Sequence, residues 1–248
     1  MSLVTTTALC LRKIAFSETS QILTLLTDKL GTVGAIAKGA KREKSSVGGP
    51  MDLMCLYQTV LYDRTRRQVL SILAQAELLD FFPALRMRYA AFQAAECLRE
   101  LLLSFEITPQ DAPSLLLLAV RALREMQVEG REQPALARFA LGALRALGVE
   151  PALDHCVVSG REPSGRVEVA FSVREMGLLS PPFSNNRGDL VRLRPATLAA
   201  LRAAAEGTSP ALPVDAWQGA FRLLAWLLAQ QGGKRLKTVQ PPEPAHAL

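Results

Sequence analysis

The 248-residue chain reads as an α+β protein, an N-terminal five-stranded OB-type β-barrel followed by an α-helical domain that carries a small loop-rich insert. Three observations predict it. The first 80 residues are short-period and rich in β-branched side chains, with turn chemistry between the apolar runs. From Leu85 to Leu147 apolar residues recur at spacings of three and four, with Arg and Glu between them. Residues 149–190 then lose this periodicity and gather Gly, Pro and Asn.

Five strands are expected, at Thr5–Phe16, Gln21–Leu26, Gly31–Ala37, Met51–Tyr62 and Gln68–Leu73. Thr27 to Gly31, Gly39 to Pro50 and Asp63 to Arg67 supply the turns, the last closing a hairpin. Five short antiparallel strands with one long basic loop fit a small OB-type barrel; an SH3-like barrel or a split sandwich gives the same pattern. Phe82-Pro83 ends this texture. Helices follow at Leu85–Leu103, Ser114–Met126 and Pro134–Leu147, then at Pro195–Ala205 and Val214–Gln231. In the insert two short strands are expected, one of them Arg166–Phe171. The resulting division is 1–80 barrel, 81–150 helical domain, 151–190 insert, 191–235 helical domain continued and 236–248 tail.

Hydrophobic residues make up 49% of the chain and charged residues 21%, which excludes a disordered protein. Every long apolar stretch is interrupted by charge within about 18 residues, so no membrane span is expected. The first residues lack the basic and apolar regions of a secretory signal. Cys10, Cys55, Cys97 and Cys156 are far apart in apolar settings, as reduced core thiols are, and a cytoplasmic location is expected. The net charge of +6 divides into +3 for residues 1–80, −1 for 81–180 and +4 for 181–248. Cations grouped in this way suit a polyanion.

Catalysis has little support. His155, beside Cys156, and His246 are the only histidines, and no phosphate-binding glycine loop, nucleophile elbow or zinc-protease helix motif occurs. The sharpest local signal is Lys38-Gly39-Ala40-Lys41-Arg42-Glu43-Lys44-Ser45-Ser46, with four cations, a glycine and two hydroxyls in nine residues. Lys and Arg neutralise phosphates, and hydroxyls and free N–H groups position them. Arg64, Arg66 and Arg67 either extend the track or solubilise a turn; the nearby aromatics are few, Phe16, Tyr57 and Tyr62, each equally able to be core, so contact with the phosphate backbone is better supported than base stacking. A second basic group is Arg187, Arg192, Arg194, Lys234, Arg235 and Lys237.

These residues together resemble the RecO family of bacterial recombination mediators. The likeness runs from Glu18-Thr19-Ser20 and Ile22 to Thr27, through Gly31 and Ala37 to Arg42, to Ala76-Glu77-Leu78-Leu79. It returns at Tyr89-Ala90-Ala91, Glu96, Leu98, Cys156-Val157-Val158, Gly160-Arg161, Gly177-Leu178-Leu179 and Gly233 to Thr238. The resemblance implies an OB-fold, a helical domain and an inserted zinc module. It implies binding of ssDNA and dsDNA without covalent chemistry, strand annealing, and, with RecR, loading of RecA onto strands coated by single-stranded DNA-binding protein (SSB). Lys38, Lys41 and Arg42 match the family's basic segment; Lys44, Arg64, Arg66, Arg67, Arg192 and Arg194 are assigned to DNA from their own chemistry.

One departure matters. Zinc-containing members carry two C-x-x-C knuckles, and here Cys156 survives while Ser159, Ser180 and Phe183 take the other places. Structural zinc needs about four N or S ligands, so a metal-free insert is expected, held by Val157, Val169, Phe171, Leu178 and Leu179. The rival reading is a protein-interaction scaffold that binds an acidic peptide, with DNA contact secondary.

Overall fold

The computed structural model describes residues 2–45, 47–65, 69–163, 168–180, 190–232 and 236–239. Contact density divides the chain into two compact units, Met1–Gln127 and Val128–Leu248.

The first unit opens with β1 (Ser2–Ala15), β2 (Gln21–Thr27), β3 (Gly31–Ala37), β4 (Leu56–Asp63) and β5 (Ser71–Asp80). They close into a barrel in the order β1-β2-β3-β5-β4. The long β1 serves two neighbours: Ser2 to Leu9 pair with β4, and Ala8 to Ala15 pair with β2. A bulge between Cys10 and Arg12 gives the bend this requires. All pairings are antiparallel except β3 with β5, a parallel seam of only two register pairs, Ala35 with Ser71 and Ile36 with Ile72. Alternate residues face inward and fill the barrel with Ala8, Cys10, Leu23, Leu25, Val33, Ala35, Leu61 and Leu73.

Two strand boundaries differ from the sequence reading by more than three residues. The fourth strand starts at Leu56 rather than Met51, because Met51–Cys55 is spent on a turn. There Met54 has φ 53° and the Gln21 side chain takes the Met51 N–H at 3.1 Å. The fifth runs to Asp80 rather than Leu73, since β4 pairs with it along that whole length.

The helices α1 (Ala84–Met87), α2 (Tyr89–Ser104) and α3 (Ala112–Glu125) complete the unit, with α2 against β1 and α3 against β2. Gly31, at φ 74°, permits this: the Thr32 N–H reaches the Ile107 carbonyl at 3.1 Å, and a Cβ at Gly31 would collide with that oxygen. These contacts group α1–α3 with the barrel, whereas the change of sequence texture places a boundary at residue 80.

The second unit contains α4 (Glu132–Ala146), β6 (Ala152–Cys156), β7 (Val169–Ser172), β8 (Gly177–Leu179), β9 (Leu190–Leu193), α5 (Pro195–Ala205) and α6 (Val214–Gly232). The helices α4, α5 and α6 pack together, burying Leu136, Phe139, Leu144, Leu201, Trp217, Phe221 and Leu224. The insert is a four-stranded sheet in the order β6-β8-β7-β9, twice the strand number expected. Leu190–Leu193 belongs to it, which carries the sheet past residue 190. Its core is Cys156, Leu179 and Leu190, flanked by Val157 and Ala170, and Val169, Phe171 and Leu178 are also buried. Arg202 Nε donates to the Leu153 carbonyl at 3.1 Å, tying α5 to β6.

Candidate nucleic-acid interface

The segment Lys38–Lys44 leaves the end of β3 as a series of turns, and its side chains separate by chemistry. Ala40, with Val47 just beyond the segment, is buried in the barrel core, while Lys38, Lys41, Arg42, Glu43 and Lys44 are exposed. The backbone is fixed at both ends. Gly39 N–H donates to Ser20 Oγ at 3.4 Å and Lys41 N–H to the Thr19 carbonyl at 3.1 Å; the Ala76 N–H donates to the Val47 carbonyl at 2.7 Å. The loop therefore holds its cations on a short tether. None of the four has a side-chain ion pair or hydrogen bond with any described residue.

Stitched to it is the β1–β2 turn, Phe16–Ser20, closed by the Phe16 N–H to the Ser20 carbonyl at 3.1 Å. Phe16 stands 62% exposed at this turn, a position open to stacking. Tyr62 is exposed on the outer face of β4. Tyr57 is not a stacking residue: it is buried in the barrel, and its hydroxyl accepts the Asp52 N–H at 2.8 Å. Burial pushes its hydroxyl well up from the ordinary tyrosine value.

Arg64 is half-buried at the end of β4, its backbone N–H on Ser71 Oγ at 3.2 Å. It lines, with Lys38, a groove of about 840 Å³ at the β3–β5 seam. Arg66, Arg67, Phe183, Arg187, Lys234 and Arg235 lie outside the described residues.

Two features were invisible to sequence reasoning. Arg12, exposed on β1, is opposite Thr24 of β2, which is opposite Gly34 of β3. The next row joins Ile14, Ile22, Ile36 and Ile72, and beyond Ile72 come Tyr62 and Leu3, so an apolar belt crosses the outer face of all five strands. Strand alternation was the available signal for each half; the register that joins them was not.

The cations of the second unit are placed otherwise. Arg194 pairs with Asp215 at 3.3 Å and Arg192 with Glu168 at 4.0 Å, both on the surface. They belong to the unit Val128–Leu248, and the loop Lys38–Lys44 to the other.

Cys156, the one thiol of the insert, is buried in its core. Its Sγ accepts the Ser180 N–H at 3.3 Å. Burial raises this thiol, but the Ser159 hydroxyl and the N–H groups of Ser159, Ser180 and Val158 outweigh it and bring it down to about 6. Among the described residues no cluster of three His, Cys, Asp or Glu side chains could hold a metal ion. His155 precedes Cys156 on the same strand and so faces the other way, its Nδ1 2.6 Å from the exposed Asp154 carboxylate. The two form no catalytic pair. Among the described residues no helix is long and apolar enough to cross a membrane.

Comparison with known proteins agrees with this architecture. The model of the recombination protein O N-terminal domain matches residues 1–82, and that of its C-terminal domain matches residues 88–240. The DNA repair protein RecO of Anaeromyxobacter dehalogenans is 33% identical over 245 residues, covering 95% of this chain and 94% of the relative. That of Rhodopirellula baltica is 32% identical, over 84% of this chain and 78% of the relative. With the barrel and the helical part each matched by its own family model, and a relative one third identical from end to end, this chain belongs to the RecO family.

Proposed function

We propose that this RecO-family chain serves DNA repair and recombination by binding ssDNA and dsDNA through their phosphates, annealing complementary strands and, with RecR, helping load RecA onto SSB-coated ssDNA. The observation that carries the reading is the tethered basic loop: four exposed cations, at Lys38, Lys41, Arg42 and Lys44, without partners among the described residues. Cations already neutralised by the protein's own acids gain little from a phosphate. Free ones gain the entropy of the counterions they displace.

Contacts to phosphates carry no base information, so binding is independent of sequence. Neutralising two strands on one face lowers their mutual repulsion, which is all that passive annealing needs. No bond is made or broken, and the protein acts as a binding partner rather than an enzyme. The insert folds without zinc, its surviving thiol held by hydrogen-bond donors.

The test is an annealing assay with complementary oligonucleotides of unrelated sequence. The protein accelerates annealing, and the charge-reversed pair Lys41→Glu/Arg42→Glu loses most of that acceleration while keeping its melting temperature. The scaffold reading draws on the exposed apolar side chains Leu78, Leu79, Phe81, Met87, Tyr89 and Phe92. An acidic peptide that binds this protein without being displaced by ssDNA would locate that function away from the basic loop.

A further inference from the structure

Two of the four thiols share one place in the barrel. Cys10 of β1 and Cys55, just before β4, are buried in the same core cluster, beside Ala8, Leu25 and Tyr57. They are opposed one step beyond Leu9 and Leu56, the last pair in the register of β1 and β4. The Cys10 N–H donates to the Cys55 carbonyl at 3.1 Å, and the Met54 N–H donates to the Cys10 carbonyl at 2.8 Å. With Met54 at φ 53°, this is a bulge of the kind that usually takes glycine in its left-handed position. Its effect is to keep Cys55 facing Cys10 after the regular ladder has ended.

Residues opposed through such hydrogen bonds have Cα atoms about 5.5 Å apart, inside the range of about 4.4–6.8 Å that a disulfide spans. Opposed side chains also point to the same side of the sheet, here the barrel interior. The other thiols are elsewhere, Cys97 on α2 and Cys156 in the insert.

The two sulfurs differ in their surroundings. Arg86 Nη2 donates to Cys55 Sγ at 3.0 Å, and the Tyr57 hydroxyl hydrogen bonds to the same sulfur. Cys10 Sγ instead faces an acceptor, the Arg12 carbonyl, at 3.8 Å. Burial raises both thiols, Cys10 to about 12, but at Cys55 the Arg86 guanidinium opposes it. A cation and a hydroxyl aimed at one sulfur favour its thiolate, the form that attacks oxidants. The Arg86 side chain is 36% exposed, so Cys55 lies one side chain below the solvent.

We propose that Cys10 and Cys55 are a redox-active dithiol that a peroxide converts to a cross-strand disulfide. The Cys55 sulfur attacks one oxygen of hydrogen peroxide; the O–O bond breaks, and a sulfenic acid and one water form. The Cys10 sulfur then attacks the sulfenic sulfur; the S–O bond breaks, the S–S bond forms and a second water leaves. The two thiols give up two electrons and two protons, and the peroxide becomes two waters. The bond ties Met51–Cys55, where the chain returns from the basic segment, to β1.

The experiment treats the native full-length chain with hydrogen peroxide, blocks remaining thiols with N-ethylmaleimide and maps the peptides by mass spectrometry without reduction. The wild type is expected to lose two of its four free thiols as one Cys10–Cys55 disulfide, which dithiothreitol reverses. The variant Cys97→Ala/Cys156→Ala, which retains only the proposed pair, is expected to do the same. Cys10→Ala is expected to stop at a sulfenic acid on Cys55 that dimedone labels, and Cys55→Ala to leave Cys10 unlabelled. Arg86→Met keeps the stem but removes the donor, and is expected to slow oxidation of Cys55 several-fold. Four thiols still free in the treated wild type, or a disulfide joining any other pair, would overturn the proposal. Dimedone labelling of Cys10 in Cys55→Ala, or an unchanged rate in Arg86→Met, would overturn the assignment of Cys55 as the first sulfur to react.

Discussion

Lys41 and Arg42 on the barrel and Arg192 and Arg194 in the second unit were read from sequence as one kind of residue, yet the fold treats them differently. The first two project from a loop pinned by backbone hydrogen bonds to Ser20 and Thr19, without acidic partners among the described residues. The second two are spent on Glu168 and Asp215. The thiols of the two regions diverge in the same way. Burial in the barrel pushes Cys10 up to about 12 and raises Cys55, whereas hydrogen-bond donors in the insert pull Cys156 down to about 6. A count of charges or cysteines therefore says less than where the chain has already satisfied them.

The largest expected effect separates the two basic groups. Charge reversal at Lys41 and Arg42 should weaken DNA binding on the order of a hundredfold at low salt, because two free phosphate contacts become repulsive. Reversal at Arg192 and Arg194 should change affinity by no more than about twofold, since those charges are already balanced by surface pairs of small net worth. Equal losses for the two variants would erase the distinction.

A smaller effect lies in the pH dependence of stability. The Cys156 thiol has a folded value near 6 against an ordinary value of 9.0, so its contribution is complete above pH 9 and is lost as pH falls through 6. Cys10 does the opposite: its folded value near 12 makes a contribution that is complete below pH 9 and lost as pH rises toward 12. Thermal unfolding of the wild type against Cys156→Ser should show the wild type gaining relative stability from pH 6 to 9. A flat difference would mean that the donors around Cys156 do not hold a thiolate. The smallest effect is none at all: a zinc chelator should leave the melting temperature unchanged, and a fall on chelation would show a metal in the insert.

The barrel was legible because Gln21 to Leu26 is a compact apolar run, β3 alternates strictly and Thr27 to Gly31 carries its turn chemistry in plain view. The C-terminal half of β5 was not, since Gln75-Ala76-Glu77-Leu78-Leu79 has the composition of a helix and is a strand only because β4 pairs with it. The insert sheet was half legible: Gly177–Leu179 is too short for any period to show, and Leu190–Leu193 gains its meaning from pairing with Val169–Ser172. The basic loop was contiguous and could be read directly. The groove could not, because Thr32 and Arg64 come to line it only once the parallel β3–β5 seam has formed. Tyr57 shows the converse, an aromatic beside a basic loop in sequence that the strand phase turns into the core.

The central claim is that the free cations of one loop, rather than the protein's overall basic charge, bind the nucleic-acid backbone. A salt titration of binding to ssDNA and dsDNA of unrelated sequences tests it most directly, comparing the wild type with Lys41→Glu/Arg42→Glu and with Arg192→Glu/Arg194→Glu. The account predicts that the slope of log affinity against log salt is independent of base sequence, falls by about two in the loop variant and stays unchanged in the second. A slope that survives reversal of the loop, or falls equally in both variants, would contradict it.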